Sequence, residues 1–366
     1  MTDRLSARQL MLVVAVMRAS AMLVLLPVVM VGDARQDAWI ASIVSTLLSC
    51  ILALLASGLA ARFPGKSLGH IGKVVLGPIG GWLVIGLFAL SHYVLALARA
   101  RTVSLLVISQ FMPKTPGWAI AVPMLAVSVY GAIHGPDTVG RSAEPVFVLL
   151  TGILVLGTVL LYASRVGPVT SLKPILARGF MPILASSVSP VFLGAVGSSV
   201  VLSLGRYVKK ASSLGRAAVY GLLISGLFLT VVVLQVLTTI GHQQAQQSLA
   251  PLLSLAGAIS IEGVVERTDL LLLASWIVGV TFDVTILLLS SSIVIADALS
   301  IDYRKVAAAL FLAGVVPVSH RVTDVFSMRM VHSLPVTGIW TLVVFLGAIG
   351  VVYIVALVRR IDGREK

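Results

Sequence analysis

The stretch MRASAMLVLLP, residues 17–27, places a charge and a helix-breaking residue inside the first long apolar run of the chain. An arginine at that depth is costly in hydrocarbon, so Arg18 should face a cavity or a polar partner. Small residues follow it, and Pro27 has no N–H to donate to a helical hydrogen-bond ladder. We therefore predict that the first span is unwound at Arg18–Ala21, where free backbone groups border a small polar site.

The composition is that of a polytopic membrane protein. Of the 366 residues, 58% are hydrophobic and only 11% are charged, and the mean hydropathy is +1.06. This balance excludes a soluble domain. The formal charge of +13 lies in short clusters between apolar runs, without a basic face interleaved with aromatic residues, which indicates membrane topology and no nucleic-acid binding.

Hydropathy predicts ten membrane spans, since about 20 apolar residues cross the hydrocarbon core as a helix. The candidate spans lie near residues 9–31, 38–60, 79–111, 118–134, 143–163, 180–204, 217–240, 269–298, 303–318 and 336–358. Loops on the side of the N-terminus carry about twice as many Lys and Arg residues as the opposite loops, which predicts that both termini are cytoplasmic. The whole chain, 1–366, is expected to form a single all-α transmembrane domain.

Two connecting segments have a character of their own. The basic, half-apolar stretch RFPGKSLGHIGKVVLG (62–77) is expected to turn and then lie on the inner membrane surface. The stretch 247–269 is apolar but contains Pro251, Gly257 and Gly263, so we expect an external helix or a re-entrant cap.

Span six, MPILASSVSPVFLGAVGSSVVLSL (181–204), has signs of interruption as span one does, because it contains Pro182, Pro190, Gly194, Gly197 and several serines. Interrupted helices at corresponding places in two halves indicate an inverted-repeat transporter fold with a binding site near the bilayer midplane. The repeats would cover about residues 5–165 and 172–360. The alternative is that glycine and serine only allow the helices to pack closely.

Several short motifs form a collinear pattern along the chain. They are QDAWI (36–40), RFPGKSL (62–68), LKPIL (172–176), FLG (192–194), ER (266–267) with LLLLASWIVG (270–279), and YIVALVRRI (353–361). This pattern resembles the B subunits of spore nutrient-germinant receptors, the GerAB type, within the amino acid–polyamine–organocation transporter superfamily. QDAWI and FPGKSL at this spacing carry most of the specificity.

The resemblance implies ten helices in a LeuT-like arrangement of five-plus-five inverted repeats, with helices 1 and 6 broken. It also implies a location in the spore inner membrane, binding of a small germinant such as an amino acid, and signalling to A- and C-type partner subunits. An acidic residue that often follows FLG in the family is absent here, which favours a neutral or anionic ligand. The residues expected to bind the ligand are Arg18, Ala19, Ser20, Ala21, Met22, Phe192, Gly194, Gly197 and Ser198.

The arginines inside the spans have more than one interpretation. The planar guanidinium of Arg18 suits a ligand carboxylate. An internal ion pair, or extension of the side chain toward the membrane surface, would also stabilise its charge. Arg99 and Arg101 are two residues apart and cannot share one helix face. Arg101 matches an arginine common in the family and is expected to have a structural or gating role.

Two carboxylates complete the set of candidate gating or ion-pair residues. Asp283 lies deep in span eight, where it either pairs with one of the arginines or forms a proton or cation site with the hydroxyls of Thr281 and Thr285. Glu144 is expected to pair with Arg141 or with the arginines of span one.

The sequence contains no sign of an enzyme. It has no phosphate-binding Walker loop, no histidine pair at metal-ligand spacing and no G-x-S-x-G elbow, so neither a cofactor nor a metal is expected. The leading prediction is a germinant-sensing subunit. The alternatives are a proton-coupled amino-acid permease and a structural subunit that binds no ligand.

Overall fold

The structure, a computed structural model, describes residues 5–24, 26–163, 172–248, 250–258, 268–319 and 345–361. Its α-helices, in chain order, are α1 (Ala7–Met22), α2 (Leu26–Ala34), α3 (Ala38–Arg62), α4 (Leu68–Gln110), α5 (Trp118–Ile133), α6 (Gly135–Ala163), α7 (Met181–Leu204), α8 (Leu214–Thr239), α9 (Gly241–Gln247), α10 (Pro251–Ala258), α11 (Thr268–Leu299), α12 (Tyr303–Ser319) and α13 (Val351–Val358). A π-helical turn, Leu346–Gly350, precedes α13. Within the described ranges, extended pairing is limited to an isolated parallel bridge between Leu5 and Val208.

Six helical segments of the described chain are long and apolar enough to cross a membrane. They are Leu26–Arg62, Leu68–Gln110, Gly135–Ala163, Met181–Tyr207, Ala211–Thr239 and Thr268–Leu299. The helices α1, α5 and α12 match the predicted positions of spans one, four and nine. The beginning of predicted span ten, residues 336–344, lies outside the described residues.

Span one is interrupted, but not where the sequence analysis placed the break. Residues Arg18–Ala21 are helical, and the N–H of Leu23 still donates to the carbonyl of Ala19 at 3.1 Å. The helix ends at Met22 and resumes at Leu26. The ring of a proline clashes with the carbonyl four residues earlier, which for Pro27 is that of Leu23. The predicted unwinding at Arg18–Ala21 is therefore wrong by one turn.

Span six is continuous, which corrects the expectation of a second broken helix. The helix α7 runs from Met181 to Leu204 with Pro190 inside it. Serine hydroxyls near the proline bond to backbone carbonyls, as Ser187 does to Ile183 at 2.7 Å and to Ala41 at 3.2 Å. The carbonyl that loses its helical partner at Pro190 is that of Ser186, and transmembrane helices tolerate such a proline where the surrounding protein compensates.

The connecting segments behave largely as the sequence indicates. Gly77 has φ 80° and ψ 177°, a conformation that side chains disfavour, and it separates a short helix at Leu68–Leu76 from the long span that follows Pro78. The short helix α10 lies within the stretch expected to form an external helix or cap, and α9 ends at its first residue, Gln247. Residues 259–267 of that stretch lie outside the described residues.

Glycines bring the central helices into close contact. A Cβ on Gly221 of α8 would lie 2.6 Å from the backbone oxygen of Met11 on α1. A Cβ on Gly226 would lie 2.3 Å from the hydroxyl of Thr46 on α3. Small residues at such crossings allow helices to approach in a membrane, where no hydrophobic effect drives them together.

This packing predicts that Gly221→Ala destabilises the protein. The added methyl group must push α8 away from the backbone of α1, and overpacking of this kind costs about 1–3 kcal/mol. We expect a lower midpoint of thermal unfolding for the purified protein in detergent.

The control is Gly152→Ala on α6, where nothing lies within 4 Å of the new Cβ. Alanine there should be neutral or stabilising by up to about 1 kcal/mol, because it favours helix. Equal midpoints for the two variants would contradict the proposed close contact.

Candidate functional site

The guanidinium of Arg18 is buried where α1, α3 and α8 meet. The residue is 1% exposed. Its Nη1 donates to the carbonyl of Leu222 at 3.1 Å, to the hydroxyl of Thr46 at 3.3 Å and to that of Ser225 at 3.4 Å. Among the described residues, no carboxylate forms an ion pair with it, and its Nε has no hydrogen-bond partner. Arg18 is thus a cation surrounded by neutral acceptors.

Gly194 of α7 lies beside this guanidinium. A Cβ at Gly194 would be 3.5 Å from Nε of Arg18 and 2.0 Å from the hydroxyl of Ser49 on α3. The glycine therefore lets α7 approach α3 and keeps the space next to Nε free of a side chain. Of the predicted ligand-binding residues, Arg18 and Gly194 are brought together.

The small residues after Arg18 face other helices. The carbonyl of Ser20 accepts a hydrogen bond from the indole Nε1 of Trp276 on α11 at 2.8 Å. The hydroxyl of Ser20 donates to the carbonyl of Val16. Ala19 is buried, Ala21 is half-buried, and Met22 is the last residue of α1. This part of the predicted site packs α1 against α11.

The other α7 residues predicted to bind ligand are part of the packed helix bundle. Phe192 is 3% exposed, and the hydroxyl of Ser198 donates to the carbonyl of Gly194 at 2.7 Å. A Cβ at Gly197 would be in van der Waals contact with Val14 of α1 and Leu222 of α8. Close helix packing, the alternative left open by the sequence, accounts for Gly197 and Ser198.

A buried ion pair joins α4 to α11. Nε of Arg99 lies 3.4 Å from Oδ2 of Asp283, and Asp283 is 1% exposed. This Oδ2 makes no hydrogen bond in the described structure, because the pair is not aligned for one. The hydroxyls of Thr281 and Thr285 donate to carbonyls of their own helix, those of Ile277 and Thr281.

The two other candidate gating residues have partners elsewhere. Nη1 of Arg101 donates to the carbonyl of Val318 on α12 at 3.2 Å. Glu144 pairs at 2.5 Å with Arg8, in the first turn of α1, and both side chains are exposed. Arg141, one expected partner of Glu144, pairs with Asp137 instead at 3.0 Å.

The motifs QDAWI and LKPIL form a clamp on one face of the protein, which the sequence analysis did not foresee. The amide of Gln36 donates to the carbonyl of Pro174 at 2.9 Å. Both carboxylate oxygens of the buried Asp37 accept from the N–H of Leu176 at 3.2 Å. Ser186 of α7 adds a bond to the carbonyl of Met30 on α2. This clamp ties the turn between α2 and α3 to the segment that leads into α7.

Comparison with known proteins identifies the family. A family profile described as "Spore germination protein" matches residues 4–327. The chain belongs to this spore germination family. Among curated relatives in Bacillus subtilis (strain 168), it is 26% identical to spore germination protein KB over 78% of this chain and 76% of that protein. It is 24% identical to spore germination protein YndE over 76% and 77% of the two chains.

Two solved transporters share the fold of this spore germination family member. Mhp1, a nucleobase-cation-symport-1 family transporter with bound bromovinylhydantoin, aligns over 98% of this chain and 82% of its own with a TM-score of 0.69 and 14% identity. MhsT in complex with L-phenylalanine aligns over 98% and 99% with a TM-score of 0.64 and 13% identity. The predicted LeuT-like, all-helical membrane fold is confirmed.

The buried pair Arg99–Asp283 yields a stability prediction. Removing one partner leaves an uncompensated charge in the protein, which costs about 3–5 kcal/mol. We expect Arg99→Met and Asp283→Leu each to lower the midpoint of thermal unfolding sharply, and the double variant to recover most of the loss.

Arg8→Ala, at the exposed pair with Glu144, is the control, since exposed pairs contribute about 0–1 kcal/mol. A double variant as unstable as the sum of the two single variants would show that the two side chains do not interact.

Proposed function

We propose that this chain is the ligand-sensing B-type subunit of a spore germinant receptor, and that Arg18 binds the acidic group of a small polar germinant, such as the carboxylate of an amino acid. The observation that carries the proposal is a fully buried guanidinium with only neutral acceptors around it. A carboxylate would supply the missing negative charge, and its two oxygens would accept hydrogen bonds from two N–H groups of the guanidinium.

The burial of Arg18 implies that the ligand reaches it through a movement of helices. The break between Met22 and Leu26 lies one turn away, so the backbone next to Arg18 can move without breaking a continuous ladder. Gly194 leaves the position beside Nε open to a ligand atom once α7 and α1 separate. We place the ligand between α1 and α7 on this basis.

The setting that we propose is the inner membrane of the dormant spore, with both termini in the cytoplasm. The family match and the excess of basic residues in one set of loops support this setting. The ligand signal would pass to A- and C-type receptor subunits. Affinity purification of the tagged chain from spore membranes should recover both subunits.

A proton-coupled amino-acid permease is the second candidate. The LeuT-like fold shared with Mhp1 and MhsT favours it, as does the buried Asp283 in its imperfect pair with Arg99. Liposomes that contain only this chain distinguish the two functions. Stoichiometric amino-acid uptake, driven by a pH gradient and abolished by Asp283→Asn, would support the permease and contradict a subunit that only senses.

The proposed contact predicts the response of Arg18 variants. In spores, Arg18→Gln should raise the concentration of a carboxylate germinant needed for half-maximal germination by at least about tenfold, because a charge-assisted hydrogen bond contributes about 1.5–3 kcal/mol. Arg18→Lys keeps the charge but not the fork, and we expect an intermediate shift.

A second comparison separates binding from folding. The amide analogue of the germinant lacks the negative charge, so wild-type spores should respond to it weakly and Arg18→Gln spores should show little difference between acid and amide. Arg8→Gln, an exposed arginine on the same helix, is the control. An unchanged dose–response of Arg18→Gln at normal protein level would rule out the contact.

A further inference from the structure

A cavity of about 670 Å³ is lined by residues of α5, α6 and α11 and by Val103 of α4, which lies one turn after Arg99. We name it the lateral groove. From α5 it is lined by Ile120, Pro123, Met124, Val127, Tyr130 and Gly131, and His134 follows at the end of this helix. Its opposite wall is formed by α11 residues between Ile277 and Thr285. Its position separates it from Arg18, so it is independent of the proposed germinant site.

The open side of the lateral groove faces the hydrocarbon of the bilayer. Its rim carries Val127 and Tyr130 on α5, which are 60% and 65% exposed, and Val278 on α11, which is 44% exposed. Exposed apolar side chains on membrane-embedded helices contact lipid tails, which are as apolar as leucine. A molecule can therefore enter the groove sideways from the bilayer.

The groove is long. Its lining extends from Ile120 on α5 to His134, the residue after that helix, and with a rise of 1.5 Å per residue this is a length of about 21 Å.

The wall of the groove is apolar along most of its length. The hydroxyls of Thr281 and Thr285 donate hydrogen bonds to carbonyls of α11, so a molecule in the groove need not supply an acceptor for them. Gly131 brings α5 against Thr285, since a Cβ there would be 2.8 Å from Cγ2 of that threonine. A flexible hydrocarbon chain fits such a wall, whereas a polar ligand would find few partners for its hydrogen bonds.

Polar groups are concentrated at one end of the groove. His134, Thr138 and Ser142 line this end, next to the ion pair between the exposed Arg141 and the half-buried Asp137. Exposed charges mark the membrane–water boundary, because charged side chains are excluded from the hydrocarbon core. An occupant should therefore be amphipathic, with its polar part at this boundary and its apolar part along α5 and α11.

We propose that the lateral groove binds one acyl chain of a bilayer phospholipid, with the headgroup at the His134–Ser142 end. The chains of one leaflet extend through about half of the 30 Å hydrocarbon core, about 15 Å, so a single chain fills most of the groove. Phe282 lines the groove and precedes Asp283, the partner of Arg99 on α4. The bound chain thus sets the spacing of α5 and α11 beside this ion pair.

The test uses the full chain in liposomes that contain a phospholipid with a photoreactive diazirine at the end of one acyl chain. After illumination, mass spectrometry locates the labelled residues. We expect labelling of 118–133 and 277–285 to exceed that of the open α6 surface around Val148, which is 63% exposed, several-fold.

Two variants fill the groove from opposite rims, Val127→Trp on α5 and Val278→Trp on α11. Each should reduce labelling of both groove walls several-fold, while Val148→Trp, a matched change on the open surface, should leave it unchanged. Since the three sites are exposed, the fold should tolerate all three substitutions.

Three results would overturn the proposal. Labelling could be equal in the groove and around Val148, or it could persist in both filled variants. A groove that is labelled in the isolated chain but protected in spore membranes would show that a partner protein occupies it instead. None of these results bears on Arg18, whose test is the germination response.

Discussion

A guanidinium removed from water must find its hydrogen-bond acceptors within the protein, and Arg18 takes its acceptors from two helices at once. Its bonds to Thr46 on α3 and to Leu222 and Ser225 on α8 determine how α1 lies against both. Glycines then allow the backbones to come close enough for these long side-chain bonds. The centre of the protein therefore depends on a charge that is solvated by hydroxyls and a carbonyl in place of a counter-ion.

Local rules predicted a large part of the fold. Apolar run length located the spans, and the basic stretch 62–77 predicted the turn and the short segment that Gly77 separates from span three. The motifs of 36–40 and 62–68 identified the family that the comparisons confirm. These features depend on residues close together in the sequence, where hydropathy and backbone stereochemistry dominate.

Errors arose where two local rules competed or where distant residues meet. The break in span one follows from the clash of Pro27 with the carbonyl of Leu23, which outweighs the small residues that precede it. In span six, Pro190 lies within a continuous helix that is buried in the bundle, so a proline alone did not determine a break. The contact of Asp37 with Leu176 joins residues far apart in the chain, and no periodicity in one sequence reveals such a contact.

The pairing of Arg99 with Asp283 in the candidate site likewise could not be predicted from the sequence alone. The sequence identified both residues as buried charges and left several pairings open. The choice depends on the rotation of α4 and α11 about their axes, which is settled by packing along their whole length. The lateral groove is likewise a property of three helices together, since each of its walls alone resembles an ordinary lipid-facing helix.

The clamp of Gln36 and Asp37 has a mechanical consequence. With the Ser186–Met30 bond, it makes α2, the start of α3 and the entry to α7 one block, whose internal separation would break several hydrogen bonds together. The contacts between α7 and α4 or α11 include the neutral bonds His92–Ser199 and Ser203–Ser290. If α7 shifts against α4 and α11, the clamped segments would therefore move with it as one unit.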